Sequence, residues 1–167
     1  MSQVAAVELV QALRERGLKL ALAESITGGA LAAELVSVPG ASKVLIGSVV
    51  AYDTNLKREL LAVPASLLSN HGAVHPDVAV AMAEGAHRLM SNAIDALPTN
   101  VVGLGITGVA GPDQQDGVSV GTVFIAVTGL GIAGSKVFEY QFFGDRDGIR
   151  DQCVATSIGL LLELIRG

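Results

Sequence analysis

Leu18-Lys19-Leu20-Ala21-Leu22-Ala23 alternates in hydrophobicity and runs straight into Glu24-Ser25-Ile26-Thr27-Gly28-Gly29, which an apolar run from Ala30 to Val36 follows. This reads as a strand, a tight turn and a helix. Two hydroxyls and two glycines at such a junction admit two readings. Ser25 or Thr27 caps the helix, since short hydroxyl side chains satisfy its first amides. Alternatively, Ser25 stands as a nucleophile where glycine lets a substrate approach the backbone and unpaired amides receive negative charge. The hexapeptide alone favours the cap.

The rest of the chain supplies a core for that junction. Its 167 residues suit one domain over 1–167, and 50% hydrophobic against 16% charged side chains argues against disorder. Aromatics make up only 4%, while 20 glycines and many small aliphatic residues suit closely packed α/β layers. A net charge of −5 without a basic cluster makes a poor nucleic-acid binder, so an anionic ligand must be held by local donors. The lone Cys153 excludes an internal disulfide and a thiolate zinc cluster. No signal-peptide pattern opens the chain and no apolar run approaches about 18 residues, so a cytoplasmic protein with no membrane contact is expected.

Before the junction, Val4 to Arg16 has helical periodicity, with Val4, Val7, Val10 and Leu13 on one face and Leu9 beside them. After it, Lys43 to Tyr52 reads as a largely buried strand, and Asp53-Thr54-Asn55 as a cap for a helix over Leu56 to Ala62. Pro64 starts a short helix, Asn70-His71-Gly72 turns the chain, and Pro76 opens a longer helix to about Asn92 with Val78, Met82 and Leu89 inward. Asn100 to Ile106 is a third strand. Val120 to Thr128 and Lys136 to Phe143 form a hairpin through Gly129 to Gly134, with Phe138, Tyr140 and Phe142 on one face. A helix after Gly144-Asp145-Arg146-Asp147 closes the chain. The pattern predicts a three-layer α/β/α sandwich with a mixed, mainly parallel sheet and a C-terminal antiparallel hairpin.

Several familiar signatures fail. Gly103-Leu104-Gly105-Ile106-Thr107-Gly108 matches a dinucleotide fingerprint, yet loop residues follow where a helix is required, and residues 119–138 hold no acid. No phosphate-loop lysine motif or Gly-x-Ser-x-Gly elbow occurs. His71 and His75 have the spacing of helical metal ligands, but Gly72 and Pro76 disfavour that helix and no third ligand is evident, so no metal is expected. His87 reads as a surface residue. Ser25 therefore needs a base other than histidine. Lys57 is the candidate, because adjacent parallel strands would bring Tyr52, Asn55 and Lys57 beside Ser25, and burial can deprotonate a lysine. By composition alone, a solvated helix charge beside Arg58 and Glu59 is the favoured reading of Lys57. Arg146, before a helix, either clamps a phosphate or pairs with Asp145 or Asp147.

Ala23-Glu24-Ser25-x-Thr27-Gly28-Gly29, Tyr52-x-x-Asn55-x-Lys57, His71-Gly72-Ala73-Val74, Thr107-Gly108-x-Ala110-Gly111-Pro112, Val120-Gly121-Thr122-Val123 and Gly144-Asp145-Arg146 occur in that order across nearly the whole chain. The set resembles the C-terminal domain family of competence/damage-inducible protein A (CinA), whose enzymes are nicotinamide-mononucleotide deamidases. The resemblance implies a five-stranded mixed sheet. It also implies hydrolysis of the carboxamide of nicotinamide mononucleotide to nicotinate mononucleotide and ammonia, in pyridine nucleotide salvage, without metal or cofactor. It makes Ser25 the nucleophile, Lys57 its base and Tyr52 an assisting hydroxyl. Thr27, Gly28, Gly29, Asn55, Thr107 and Gly108 would border the substrate, with Arg146 at its phosphate. The resemblance does not assign the oxyanion donors; amides near Thr27 to Gly29, at the start of the helix, are the expected ones. Family analogy points to a homo-oligomer. Full-length members add an N-terminal pyrophosphatase domain that these residues do not include.

Three positions depart from the family pattern. Ile26 replaces a usual Cys, which leaves no thiol to stand in for Ser25, and His75 replaces a Ser as helix cap. The loop Asp113-Gln114-Gln115-Asp116-Gly117-Val118-Ser119 lacks the usual glycine pair and the proline before Val120. That loop motivates one rival expectation, a non-catalytic nucleotide-binding or protein-interaction module of the same fold; a second, an amidase for a related small amide, stands because Arg146 alone does not establish phosphate recognition.

Overall fold

A computed structural model describes residues 2–94, 97–131 and 134–167. Their elements are α1 (Ser2–Glu15), β1 (Lys19–Glu24), α2 (Ala30–Val36), β2 (Leu45–Val50), α3 (Thr54–Leu61), α4 (Ala65–His71), α5 (Pro76–Ala93), β3 (Val101–Gly108), β4 (Thr122–Thr128), β5 (Lys136–Gln141) and α6 (Arg146–Arg166). The five strands form one sheet in the order β2-β1-β3-β4-β5. β1 pairs in parallel with β2 and β3, whereas β4 is antiparallel to both β3 and β5. Four strands thus run one way and only β4 opposes them, as the mainly parallel expectation requires. The predicted Gly129–Gly134 connection includes positions 132 and 133, which lie outside the described residues.

Alternation along the strands sorts the two faces. Leu20 and Leu22 of β1 join Leu104, Ile106, Ile125 and the inner sides of α1, α2 and α6. Ala21 and Ala23 turn the other way, toward Leu61, Val78 and Met82 of α3 and α5. Helices cover both faces, giving the three layers. On the α5 side the sheet presents small residues, so α5 lies close: a Cβ at Gly105 would run into the carbonyl of Ala79 and approach the Ala83 nitrogen to 2.6 Å.

Four local expectations need correction. The buried stripe of α1 is Ala6, Leu9, Val10 and Leu13, while Val4 and Val7 are 66% and 45% exposed. Both stripes have helical spacing, and packing of α1 on α6 selects the one carrying the two leucines. β2 is an edge strand, half-buried up to an exposed Val50, because among the described residues no strand pairs beyond it. In α5, Met90 rather than Leu89 faces inward, and His87 is half-buried against β3, its Cβ filling the space that Gly103 leaves. Among the described residues no helix is long and apolar enough to cross a membrane.

Candidate active site

The parallel pairing dictates what meets Ser25. The ladder continues one step beyond β1 on both sides: Ser25 N–H donates to Ile106 O at 3.1 Å, and Ala51 N–H donates to Glu24 O at 2.8 Å. Ala51 is thereby fixed beside the junction, two residues before the cap of α3, where the Asp53 carboxylate accepts from Asn55 N–H at 2.7 Å. One turn into α3, Lys57 points inward with Leu61 and is fully buried. Its Nζ lies 3.0 Å from Ser25 Oγ, 2.7 Å from Ala51 O and 3.4 Å from Tyr52 O. Burial pushes this amine down from the usual 10.5 to about 8, against the opposing pull of the Asp53 carboxylate. A neutral amine has two N–H donors and one lone pair. Two carbonyls take the donors and leave the lone pair for the Ser25 hydroxyl. The solvated-charge reading of Lys57 is thus overturned.

The helix cap is neither Ser25 nor Thr27. The Glu24 carboxylate, fully buried, accepts from the amides of Gly29, Leu31 and Ala32 at 3.0–3.1 Å and from Ser48 Oγ at 2.8 Å. Thr27 Oγ1 is buried without a hydrogen-bond partner. The reason is reach: the helix begins at Ala30, and the longer glutamate side chain spans the turn to its first amides. Gly28 and Gly29 adopt φ of 60° and 96°, so the turn itself demands them. Gly28 N–H donates to Ser25 O and Gly29 N–H to Glu24, which removes both as oxyanion donors.

A cavity of about 200 Å³ opens in front of Ser25. Of the residues singled out above, Ser25, Tyr52, Lys57, Thr107, Gly108 and Arg146 line it; Thr27, Gly28, Gly29 and Asn55 are not among its walls. Ile26 contributes an apolar wall. Thr107 Oγ1 donates to Ala73 O at 2.8 Å, tying the end of β3 to the Ala73–Val74 wall. At the mouth, Arg146 forms no ion pair among the described residues: Asp145 caps α6 through Gly148 N–H, and Asp147 faces Arg150 at 3.4 Å. Its guanidinium instead donates to two neutral oxygens, Gly111 O at 2.7 Å and Tyr52 Oη at 3.0 Å. Tyr52 Oη makes no hydrogen bond to Ser25 or Lys57.

Sequence reasoning missed three contributors. Arg150 donates from Nε to Ile26 O (3.2 Å) and from Nη2 to Thr27 O (3.0 Å), pinning the nucleophile's turn to α6 across more than 120 residues. No local signal marks that. Asp113 and Gln115 line the cavity from the departed loop, which closes through paired backbone bonds between Gln115 and Val118. His75 does replace its serine as a cap, accepting from Asp77 N–H, and its ring stacks on His71 at 4.2 Å. Burial pushes the Cys153 thiol up to about 12, so it offers no competing nucleophile.

Comparison with known proteins fits this arrangement. The family model described as the CinA C-terminal domain matches residues 2–165. The chain belongs to the CinA family. It is 45% identical over 161 residues to a CinA-like protein of Anaeromyxobacter sp. (strain K), and 42% over 149 residues to one of Geobacter sulfurreducens. These matches cover 95% and 89% of this chain but only 37% and 34% of the relatives, so the chain spans about a third of their length. A CinA superfamily protein of Klebsiella pneumoniae superposes with a TM-score of 0.88 at 29% identity, covering 99% of this chain and 98% of that one. The competence/damage-inducible protein CihA of Agrobacterium tumefaciens gives 0.85 at 28%, covering 98% and 94%.

Proposed function

We propose that this CinA-family chain is an amidohydrolase of one domain that converts nicotinamide mononucleotide to nicotinate mononucleotide and ammonia. The observation that carries the reading is the 3.0 Å contact between Ser25 Oγ and a buried Lys57 whose amine is pushed down to about 8. Neutral Lys57 takes the Ser25 proton as Oγ attacks the carboxamide carbon. The N–H of Ile26, a residue of the cavity wall and free of a protein acceptor among the described residues, holds the oxyanion, a contribution of about 3 kcal/mol. Lys57 returns its proton to departing ammonia, then activates the water that releases the acyl group. Arg146, a cation without a carboxylate partner among the described residues, receives the phosphate at the cavity mouth.

A second reading, an amidase for a smaller amide, has its own support. The cavity of about 200 Å³ lies below the range of roughly 300–1,000 Å³ usual for small-molecule sites, and Asp113 and Gln115 help to narrow it. Ammonia release from nicotinamide mononucleotide, nicotinamide riboside and nicotinamide separates the two. Turnover of the mononucleotide above the others, abolished at least 10³-fold in Ser25→Ala, is expected. Faster turnover of unphosphorylated amides selects the smaller substrate. Nucleotide binding without ammonia release from any of the three selects a non-catalytic module and sinks both.

A further inference from the structure

Tyr52 and Gly111 both line the cavity, and Arg146 bridges the hydroxyl of the one and the carbonyl of the other. We infer that Tyr52 is a positioning residue that holds the Arg146 guanidinium over the mouth, and that it thereby sets the preference for an anionic substrate rather than moving a proton in the chemical step. This rests on the phosphate-reading role proposed above for Arg146.

Three observations carry it. Tyr52 Oη accepts from Arg146 Nη2 at 3.0 Å and is hydrogen-bonded to neither Ser25 nor Lys57. The Lys57 amine has its full set of neighbours in Ser25 Oγ and the two carbonyls, so no further hydroxyl is needed to orient it. Finally, both partners of Arg146 are neutral. A guanidinium held by a carboxylate would lose that ion pair when it met a phosphate. One held by a phenol and a carbonyl keeps its charge unneutralised while its position is fixed. Two anchors use Nη1 and Nη2, leaving further N–H donors of the five for an incoming anion. Without the phenol, the side chain hangs from Gly111 alone, and the entropy of its long stem opposes each binding event.

The test compares Tyr52→Phe with the wild-type chain on nicotinamide mononucleotide and nicotinamide riboside. Removing the oxygen should raise KM for the mononucleotide about tenfold, in line with one lost hydrogen bond to a charged group, while kcat changes less than threefold. The preference for the phosphorylated substrate, as a ratio of kcat/KM values, should fall by a similar factor. A 10²-fold drop in kcat on both substrates alike would overturn the inference and make Tyr52 a proton-transfer group. An unchanged KM would overturn it too. A binding measurement keeps the inference separate from the deamidase reading: nicotinate mononucleotide is titrated into both proteins by calorimetry. If wild type binds it without turning over the amide, the deamidase reading fails. The inference then stands on about tenfold weaker binding by Tyr52→Phe and falls if the two proteins bind alike.

Discussion

Lys57 sits where folding disfavours its charge, and that has a sign worth following. Its amine titrates near 8 in the folded chain against 10.5 when unfolded, so between those values the unfolded state binds more protons and native stability rises with pH. Below about 8 the full cost applies, on the order of 3 kcal/mol from this group. The same displacement makes the base usable. Log kcat/KM should climb on the acid side and level off near pH 8 rather than 10.5. Asp53 raises the amine's pKa, and asparagine keeps the cap of α3. Asp53→Asn is therefore expected to move the acid limb to lower pH. A limb that stays in place, or moves up, in the pH profile of that variant would count against Lys57 as the titrating group. Lys57→Arg, which cannot deprotonate, should be inactive throughout.

At the scale of elements, the strand–turn–helix around Ser25 was legible, but what holds it was not. Alternation in Leu18–Ala23 and the glycine pair announce β1 and the turn, and α2 runs over the expected residues. The cap was misplaced because local spacing favours a short hydroxyl side chain, whereas Glu24 folds back over its own turn. Arg150 was invisible because its carbonyl partners lie in a distant segment. Likewise, two helical stripes compete in α1, and only the α6 surface decides between them. Glu24→Ala tests the cap: it strands three amides and the Ser48 hydroxyl, and should cost about 3 kcal/mol in urea unfolding, with activity falling as the turn loosens. A change under about 0.5 kcal/mol would show that water replaces the carboxylate without penalty. Glu24→Gln, which keeps the shape and one of the two accepting oxygens but turns an NH2 toward the other donors, should fall between.

The whole molecule explains why residues scattered from 25 to 146 converge. β1, β2, β3 and β5 all run in one direction, so their carboxyl ends share an edge: Ser25 follows β1, Lys57 comes soon after β2, Thr107 closes β3, and the chain after β5 delivers Arg146. β1 is also where consecutive connections part, with β2 on one side and β3 on the other, the place where open α/β sheets form a crevice. That edge keeps its shape only if α5 stays tight on the sheet, because Thr107 reaches Ala73 just ahead of that helix. Gly103 and Gly105, which looked like a nucleotide fingerprint, serve this contact instead. A methyl at Gly105 meets backbone of α5, which cannot swing aside as a side chain does. Gly105→Ala should therefore cost about 2–3 kcal/mol in chemical denaturation and raise KM as the Ala73 wall shifts. Gly159→Ala is the control, since this α6 position is exposed, has ordinary φ and nothing within 4 Å of a new Cβ. Helix propensity alone should make it more stable by about 0.5–1 kcal/mol. If both variants gain stability, α5 is free to back away from the sheet, and the close helix–strand contact does not set the cavity wall.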